Sequence, residues 1–279
     1  MPPTAKAIAR RLLPHSLYRL YRRRKVASII AGYEPREVEH TYGAHRLRVH
    51  LADPLGEGWY DRDWQEPRAL AFLRERGVLH AGARVFDLGA HQAVIALMLA
   101  REVGAQGQVV AIEAEPHNAR VALLNRELND ARNLVVLHAA GAARAGVLSF
   151  AEGLNGQIDE QSGAGNVEVP AVTVDDLARD YGAPQLVMID VEGYEGHVLD
   201  GAAGVLEAGT SAFLVEIHEE LAAFGGSASE ILSRFERFER WVAVDDDDEL
   251  LALDGAPPTG RFFLVAIPAA GTSPLSPPA

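Results

Sequence analysis

From residue 84 to residue 267 short apolar runs alternate with segments of helical spacing, and no other feature limits the fold as strongly. Arg84–Leu88, Gln108–Glu113, Leu134–Ala139, Leu186–Asp190 and Phe213–Ile217 are strand-length runs dominated by aliphatic residues. Between them, Val94, Leu97, Met98 and Arg101 recur at the spacing of one helix face. The same holds for Val121, Leu124 and Leu128 after Pro116, and for Val198, Leu199, Ala202, Val205 and Leu206. Strands covered on both faces read as continuous apolar runs, so the pattern implies a mostly parallel α/β sheet with helices on both sides.

The remaining segments complete this frame. Val147–Phe150 and Val167–Val174 read as an antiparallel pair across the Gly-rich stretch 153–165, and Asp175 is placed to cap a short helix ending at Tyr181. A helix over 227–239 and strands Trp241–Val244 and Phe262–Ile267 close the sheet. Residues 1–65 form an N-terminal extension: a basic helix over 5–31 broken near Pro14, a hairpin over 38–52, and a loop carrying Trp59, Tyr60 and Trp64. The main domain spans 66–268, starting with a helix from Pro67 to about Arg76. The Ser/Pro-rich tail 269–279 is expected to be disordered. The acidic run Asp245–Glu249 reads as a solvated turn, since it lacks the spacing of a calcium loop.

Composition removes whole classes of function. The chain has no cysteine, so disulfides, thiolate metal sites and cysteine nucleophiles are out. Its only lysines are Lys6 and Lys25, which excludes a Walker A loop, a protein-kinase strand lysine and Schiff-base chemistry in the main domain. There is no Gly-x-Ser-x-Gly, and Ala222 stands where a zincin helix needs its second histidine. Residues 1–33 hold eight basic residues and no acid, so 18 of the 26 basic residues face all 39 acidic ones over the rest, a net of −21. Such a body is not a nucleic-acid binder, whereas the arm can dock on it or make peripheral contact with an anionic membrane. No apolar run reaches spanning length and no secretory signal is apparent, so a cytoplasmic protein is expected.

In open α/β sheets ligands lie beyond the carboxyl ends of the strands. The first strand ends Asp87-Leu88-Gly89-Ala90-His91-Gln92-Ala93, which is not a dinucleotide fingerprint. Asp87 offers a carboxylate that suits an ammonium better than a pyrophosphate, and Gly89 admits a ligand close to the backbone. The second strand ends at Glu113, placed to accept both hydroxyls of a ribose. Together these residues describe an adenosine-bearing ligand with a positive end. Glu66, at the start of a helix, is within plausible reach of an amino group on such a ligand.

Val85–Ala93, Ala111–Pro116, Val169–Leu177 and above all Ile189-Asp190-Val191-Glu192-Gly193 resemble the FkbM family of S-adenosylmethionine-dependent methyltransferases. The resemblance covers roughly residues 66–267. It implies the Rossmann-like class I methyltransferase fold, a seven-stranded sheet with an antiparallel last strand, and S-adenosylmethionine as cofactor. Carried over, Asp87, Gly89, Ala90 and His91 correspond to the first cofactor loop, Glu113 and Ala114 to the ribose-binding turn, and Asp190 and Glu192 to the acidic motif after the fourth strand. The loop reads Gly89-Ala90-His91-Gln92-Ala93 where the family has Gly-Ala-Asn-x-Gly, and Met188 stands where lysine is frequent. The implied activity is O-methylation of a hydroxyl on a secondary metabolite or glycan.

Methyl transfer from a sulfonium is an in-line displacement, so the protein mainly positions reactants, and a hydroxyl acceptor must lose its proton. Asp190, Glu192 and His218 are the candidate catalytic groups. Either carboxylate is suited to act as base, to orient the acceptor or to hold a divalent cation, although no dedicated metal site is indicated; His218 is a second candidate base. Trp59, Tyr60 and Trp64 either line the acceptor pocket or pack the extension on the sheet. N-methylation and a non-catalytic cofactor-binding role remain alternatives, and the oligomeric state is open.

Overall fold

A computed structural model describes residues 15–158, 166–245 and 249–269. The expected helix start and Pro14 kink, the tail beyond residue 269 and most of the 245–249 run lie outside them. Among the described residues an eight-stranded sheet runs in the order Leu251–Ala252, Phe238–Ala243, Phe262–Pro268, Ala212–Ile217, Leu186–Ile189, Arg84–Leu88, Gln108–Glu113, Leu134–His138. The last five are mutually parallel and the first three antiparallel. This is the class I methyltransferase arrangement, extended at one edge by the two-residue strand Leu251–Ala252. Strand order reverses between Arg84–Leu88 and Leu186–Ile189, so the switch point lies where Gly89 and Asp190 leave the sheet.

Side chains alternate across the sheet as a two-residue period requires. Phe86, Leu88, Val187, Ile189, Phe213 and Val215 pack on one side. Val85, Leu186, Leu214 and Val265 face the other, against the helix Val94–Val103 and the hairpin Arg36–Tyr42/His45–Leu51. Beside the first side lies a smaller sheet of Ala140–Gly141, Val167–Val172, Gly146–Ala151 and Gln157–Ile158, including the antiparallel pair expected across the Gly-rich stretch. No helix among the described residues is long and apolar enough to cross a membrane.

Three local readings need correction. The stretch before Trp59 and Tyr60 is a helix, Pro54–Tyr60, not a loop. Asp53 caps it, accepting from the Leu55 and Gly56 N–H groups at 2.9 Å each, with Pro54 in the first turn. The helix Val174–Tyr181 is capped by Thr173, whereas Asp175 accepts from Gly204 and Val205 and so caps the next-but-one helix, Ala203–Ala208. The helix expected over 227–239 stops at Ser233, and Phe238 already begins a strand.

Candidate active site

Two adjoining cavities, of about 430 Å³ and 340 Å³, open at the switch point. They share Trp59, Gly89, His91, Asp190, Glu216 and Arg261. The larger extends over Glu113, Ala114 and the smaller sheet, and the other under Tyr60, Asp87 and Met188.

The first loop is shaped by close backbone packing. Gly89 has φ +94°, and a Cβ there would lie 1.7 Å from the Asp190 carbonyl oxygen, so only glycine fits. Gly89 and Ala90 N–H groups donate to the Ile112 carbonyl, and Asp190 N–H donates to Leu88. His91 and Ala93 follow with φ of 49° and 62°, left-handed conformations that non-glycine residues adopt at a cost. Ala93 is fully buried and lines neither cavity, so its methyl faces protein packing.

This wall holds two buried carboxylates. Glu113 accepts from the His91 and Glu115 N–H groups, both at 2.7 Å, yet burial outweighs those bonds and pushes it up to about 8. Asp87 is pushed up to about 7 by burial alone, and its Oδ2 has no partner. His91 Nε2 is likewise buried and unpartnered. Buried polar atoms left open at a cavity wall call for a ligand to satisfy them. Acceptors on Asp87 and Glu113 suit the ammonium and ribose hydroxyls of S-adenosylmethionine, so the residues present fit that cofactor.

The opposite floor is an ion-pair cluster. In Asp190-Val191-Glu192-Gly193 the chain turns sharply, with Glu192 at φ 53° and Gly193 at φ 101°, where a Cβ would lie 2.7 Å from the Glu220 Cβ. The turn brings the fully buried Glu195 back to accept from Gly193 N–H at 2.9 Å. His218 Nδ1 sits 2.8 Å from Glu195 Oε1. Its Nε2 lies 3.3 Å from Glu216, 3.6 Å from Asp190 and 3.9 Å from Glu192. Burial works against a charged ring, but the bonds to Glu195 and Glu216 win and raise His218 to about 11. These carboxylates favour the protonated ring.

Asp190 keeps 52% of its side-chain surface open to the cavity, although protein surrounds it elsewhere. Burial and then Glu216 push its pKa well above the carboxylate range, with His218 pulling the other way. Glu216 is also paired with Arg261 at 3.0 Å. Asp190, Glu192 and His218 present one donor atom each within 4.8 Å of one another. In this ion-pair network the carboxylates favour a proton on the ring, and loss of the Nε2 proton would leave the three groups able to hold a divalent cation.

The chain belongs to the FkbM methyltransferase family. The model of the methyltransferase FkbM domain matches residues 87–245, more than half the sequence, and it carries Asp87, Glu113, Asp190 and Glu192 in its span. The protein is an S-adenosylmethionine-dependent methyltransferase. Among solved structures it is similar to methyltransferase FkbM from Methylobacillus flagellatus (16% identity, TM-score 0.47), covering 72% of this chain and 48% of that one. It is also similar to an S-adenosylmethionine-dependent O-methyltransferase from Thermotoga maritima (15%, TM-score 0.43; 84% and 77% covered). A third is precorrin-6y C5,15-methyltransferase from Geobacter metallireducens (13%, TM-score 0.44; 72% and 86% covered). No curated protein sequence matches it significantly.

Of the residues singled out from sequence, Gly89, His91, Glu113, Ala114, Asp190, Glu192 and His218 line the larger cavity, and Asp87 and Ala90 the other. Glu66 does not. It lines neither cavity, because Arg74 grips its carboxylate with both terminal nitrogens, Nη2 at 2.7 Å. Trp59 lines both cavities, and Tyr60 and Trp64 line the smaller, Tyr60 packing on His91 and Trp64 edge-on against Tyr42. Sequence reasoning gave no role to Glu195, nor to Asp53, whose second oxygen takes Gln92 Nε2 at 2.6 Å and His117 Nε2 at 3.0 Å. The Asp53-Pro54 pair, a capping acid before a first-turn proline, was the available signal for that helix.

Proposed function

We propose that the protein methylates a hydroxyl group of a small-molecule or glycan acceptor, with Asp190 as the base. The observation that carries this is the Asp190 carboxylate at the junction of the two cavities, half open on the cavity side and 3.6 Å from His218 Nε2. When bound, S-adenosylmethionine supplies a methyl group already activated by its sulfonium. An acceptor hydroxyl, with a pKa far above 7, needs a nearby base during transfer, whereas an amine sheds its proton to solvent beforehand. A base built into the floor therefore favours oxygen over nitrogen as acceptor atom. His218 keeps its own proton and steadies the carboxylates around it, and Glu195 holds the ring from below. Trp59, about one-third exposed at the rim, offers a flat apolar face for a ring-shaped acceptor.

The test is Asp190→Asn, which keeps shape and removes charge. Turnover on a hydroxyl acceptor should fall by about 10²–10⁴-fold while S-adenosylhomocysteine affinity stays within a few fold. Full activity in the variant, or methyl groups found on nitrogen in the product, would overturn the reading. Turnover should also survive EDTA, given the charge on His218. Loss of turnover in EDTA with recovery in Mg²⁺ would reassign Asp190 and Glu192 as metal ligands.

A further inference from the structure

His91 stands in the first loop where the resembling sequences carry asparagine, and its ring is only 8% exposed. Trp59 and Tyr60 clamp it, with ring centroids at 4.8 Å and 5.7 Å. Its Nδ1 lies 2.8 Å from the Tyr60 hydroxyl. That contact is the one hydrogen bond of the Tyr60 hydroxyl among the described residues, and burial keeps the phenol protonated.

Counting protons fixes the tautomer. Burial drives His91 down to about 4, against smaller opposing effects of Asp53 and the Leu154 carbonyl, so the ring is neutral and carries one N–H. Were that hydrogen on Nδ1, the Tyr60 hydroxyl hydrogen would be buried with no acceptor. Tyr60 therefore donates to Nδ1, and Nε2 carries the hydrogen. Nε2 has no partner at normal hydrogen-bond geometry; the Leu154 carbonyl is near enough to favour its proton, so a ligand carboxylate would compete with that carbonyl. Asp87 Oδ2, also buried and unpartnered, lines the same cavity. A buried acceptor carboxylate and a buried neutral donor thus flank Gly89. Their chemical complement is an α-amino-acid terminus, an ammonium for the first and a carboxylate for the second.

We propose that His91, fixed as its Nε2–H tautomer by Tyr60, is a positioning residue that donates to the carboxylate of the cofactor's amino-acid end, while Asp87 receives its ammonium. Two arginines also border this cavity, but Arg261 is engaged by Glu216 and Arg62 is solvent-exposed. Met188 occupies the register position beside Asp87, so no cation reaches the carboxylate from the neighbouring strand.

Calorimetric binding to the full chain tests this without turnover. The probes are S-adenosylhomocysteine, which has the amino-acid end, and 5′-methylthioadenosine, which lacks it. His91→Ala should weaken S-adenosylhomocysteine by about 10–100-fold, as for a hydrogen bond to a charged group, and leave methylthioadenosine within about twofold. His91→Asn, which restores a donor, should recover most of the loss, and Tyr60→Phe should show a smaller loss confined to the same ligand. If the alanine variant folds poorly, the wild type still decides: decarboxylated S-adenosylmethionine should bind about tenfold or more weakly than S-adenosylmethionine. Equal loss of both adenosine ligands in His91→Ala, or a loss specific to S-adenosylhomocysteine that appears in Arg62→Ala and not in His91→Ala, would overturn the proposal.

Discussion

Two buried aspartates lie on either side of the first loop, and the protein treats them in opposite ways. Asp53, fully buried at the start of the helix Pro54–Tyr60, is surrounded by donors: two backbone N–H groups, Gln92 and His117. Burial alone would raise its pKa, but those bonds hold it below the ordinary carboxylate value. Asp87, equally out of bulk water, has an oxygen with no partner, and burial pushes it up to about 7. The first region is complete as folded. The second is left incomplete at the cofactor wall, and the difference marks which acid serves the fold and which serves the ligand.

The largest effect should come from breaking the completed region. Asp53→Ala removes a helix cap and strands Gln92 Nε2 and His117 Nε2 in the interior, so we expect a loss of about 3–5 kcal/mol in unfolding free energy. Denaturant unfolding measures it. A loss under about 1 kcal/mol would mean the network is not a structural unit.

Asp87→Asn should do the reverse. Removing an uncompensated buried carboxylate should stabilise the ligand-free protein by on the order of 1–3 kcal/mol near pH 8 and weaken S-adenosylmethionine binding. The sign follows from proton counting. Asp87 and Glu113 have folded pKa values of about 7 and about 8 against ordinary values of 3.8 and 4.5, so the folded state binds more protons between them. Their contribution is therefore fully present below about pH 4 and is lost as pH rises to about 8. Asp53 runs the other way: its contribution is present above its unfolded pKa and lost as pH falls through its lowered folded value. Melting curves across pH should show the alkaline limb shrinking in Asp87→Asn, and an unchanged limb would sink the account.

How much of this was legible in sequence depended on distance along the chain. The alternation of strands and helices, the glycine at 89 and the acids at 87, 113 and 190 are local signals, and each lies at a strand end. The state of His218 was not legible, because it is decided by Glu195, twenty-three positions away and swung back by the turn at Gly193. The setting of Glu66 was hidden for a similar reason: its partner is Arg74, further along the same segment, and an acid just before a helix does not announce whether it faces a neighbour or a ligand. The helix expected over 227–239 overran because Ile231, Leu232, Phe235 and Phe238 keep a helical spacing past Ser233, where the helix ends. There, cross-strand pairing with Phe262–Pro268 overrode the local pattern.

A smaller effect tests the joint between the two regions. Ala93 follows Gln92 of the completed network and holds a left-handed conformation at φ 62°. Glycine relieves that conformation but costs chain entropy, so Ala93→Gly should stabilise by about 0.5–1 kcal/mol. Its methyl lines neither cavity, so cofactor affinity should be unchanged. Tighter binding in the variant would show that the methyl does crowd the cofactor.

The smallest effect concerns the basic arm, whose contact with the body is exposed rather than buried. Arg23 pairs with Glu152 at 2.6 Å while keeping 49% of its side-chain surface, and the Arg22 guanidinium lies over Gly153. An exposed pair of this kind contributes about 0.2–1 kcal/mol and is weakened by salt. We propose that residues 15–31 dock on the acidic body at this edge of the larger cavity. Arg23→Ala should then lower unfolding free energy by no more than about 1 kcal/mol, with the difference vanishing at high salt. Glu152→Ala should give the same loss, and the double variant no more than either, because a single contact is being removed. The rival arrangement puts the arm on an anionic surface, a reading encouraged by Leu17 and Tyr21, both about half exposed. Vesicles of phosphatidylserine and phosphatidylcholine separate the two. Docking predicts negligible pull-down of the full chain, whereas capture at low salt that is reversed by salt and absent without residues 1–25 would place the arm on the membrane instead.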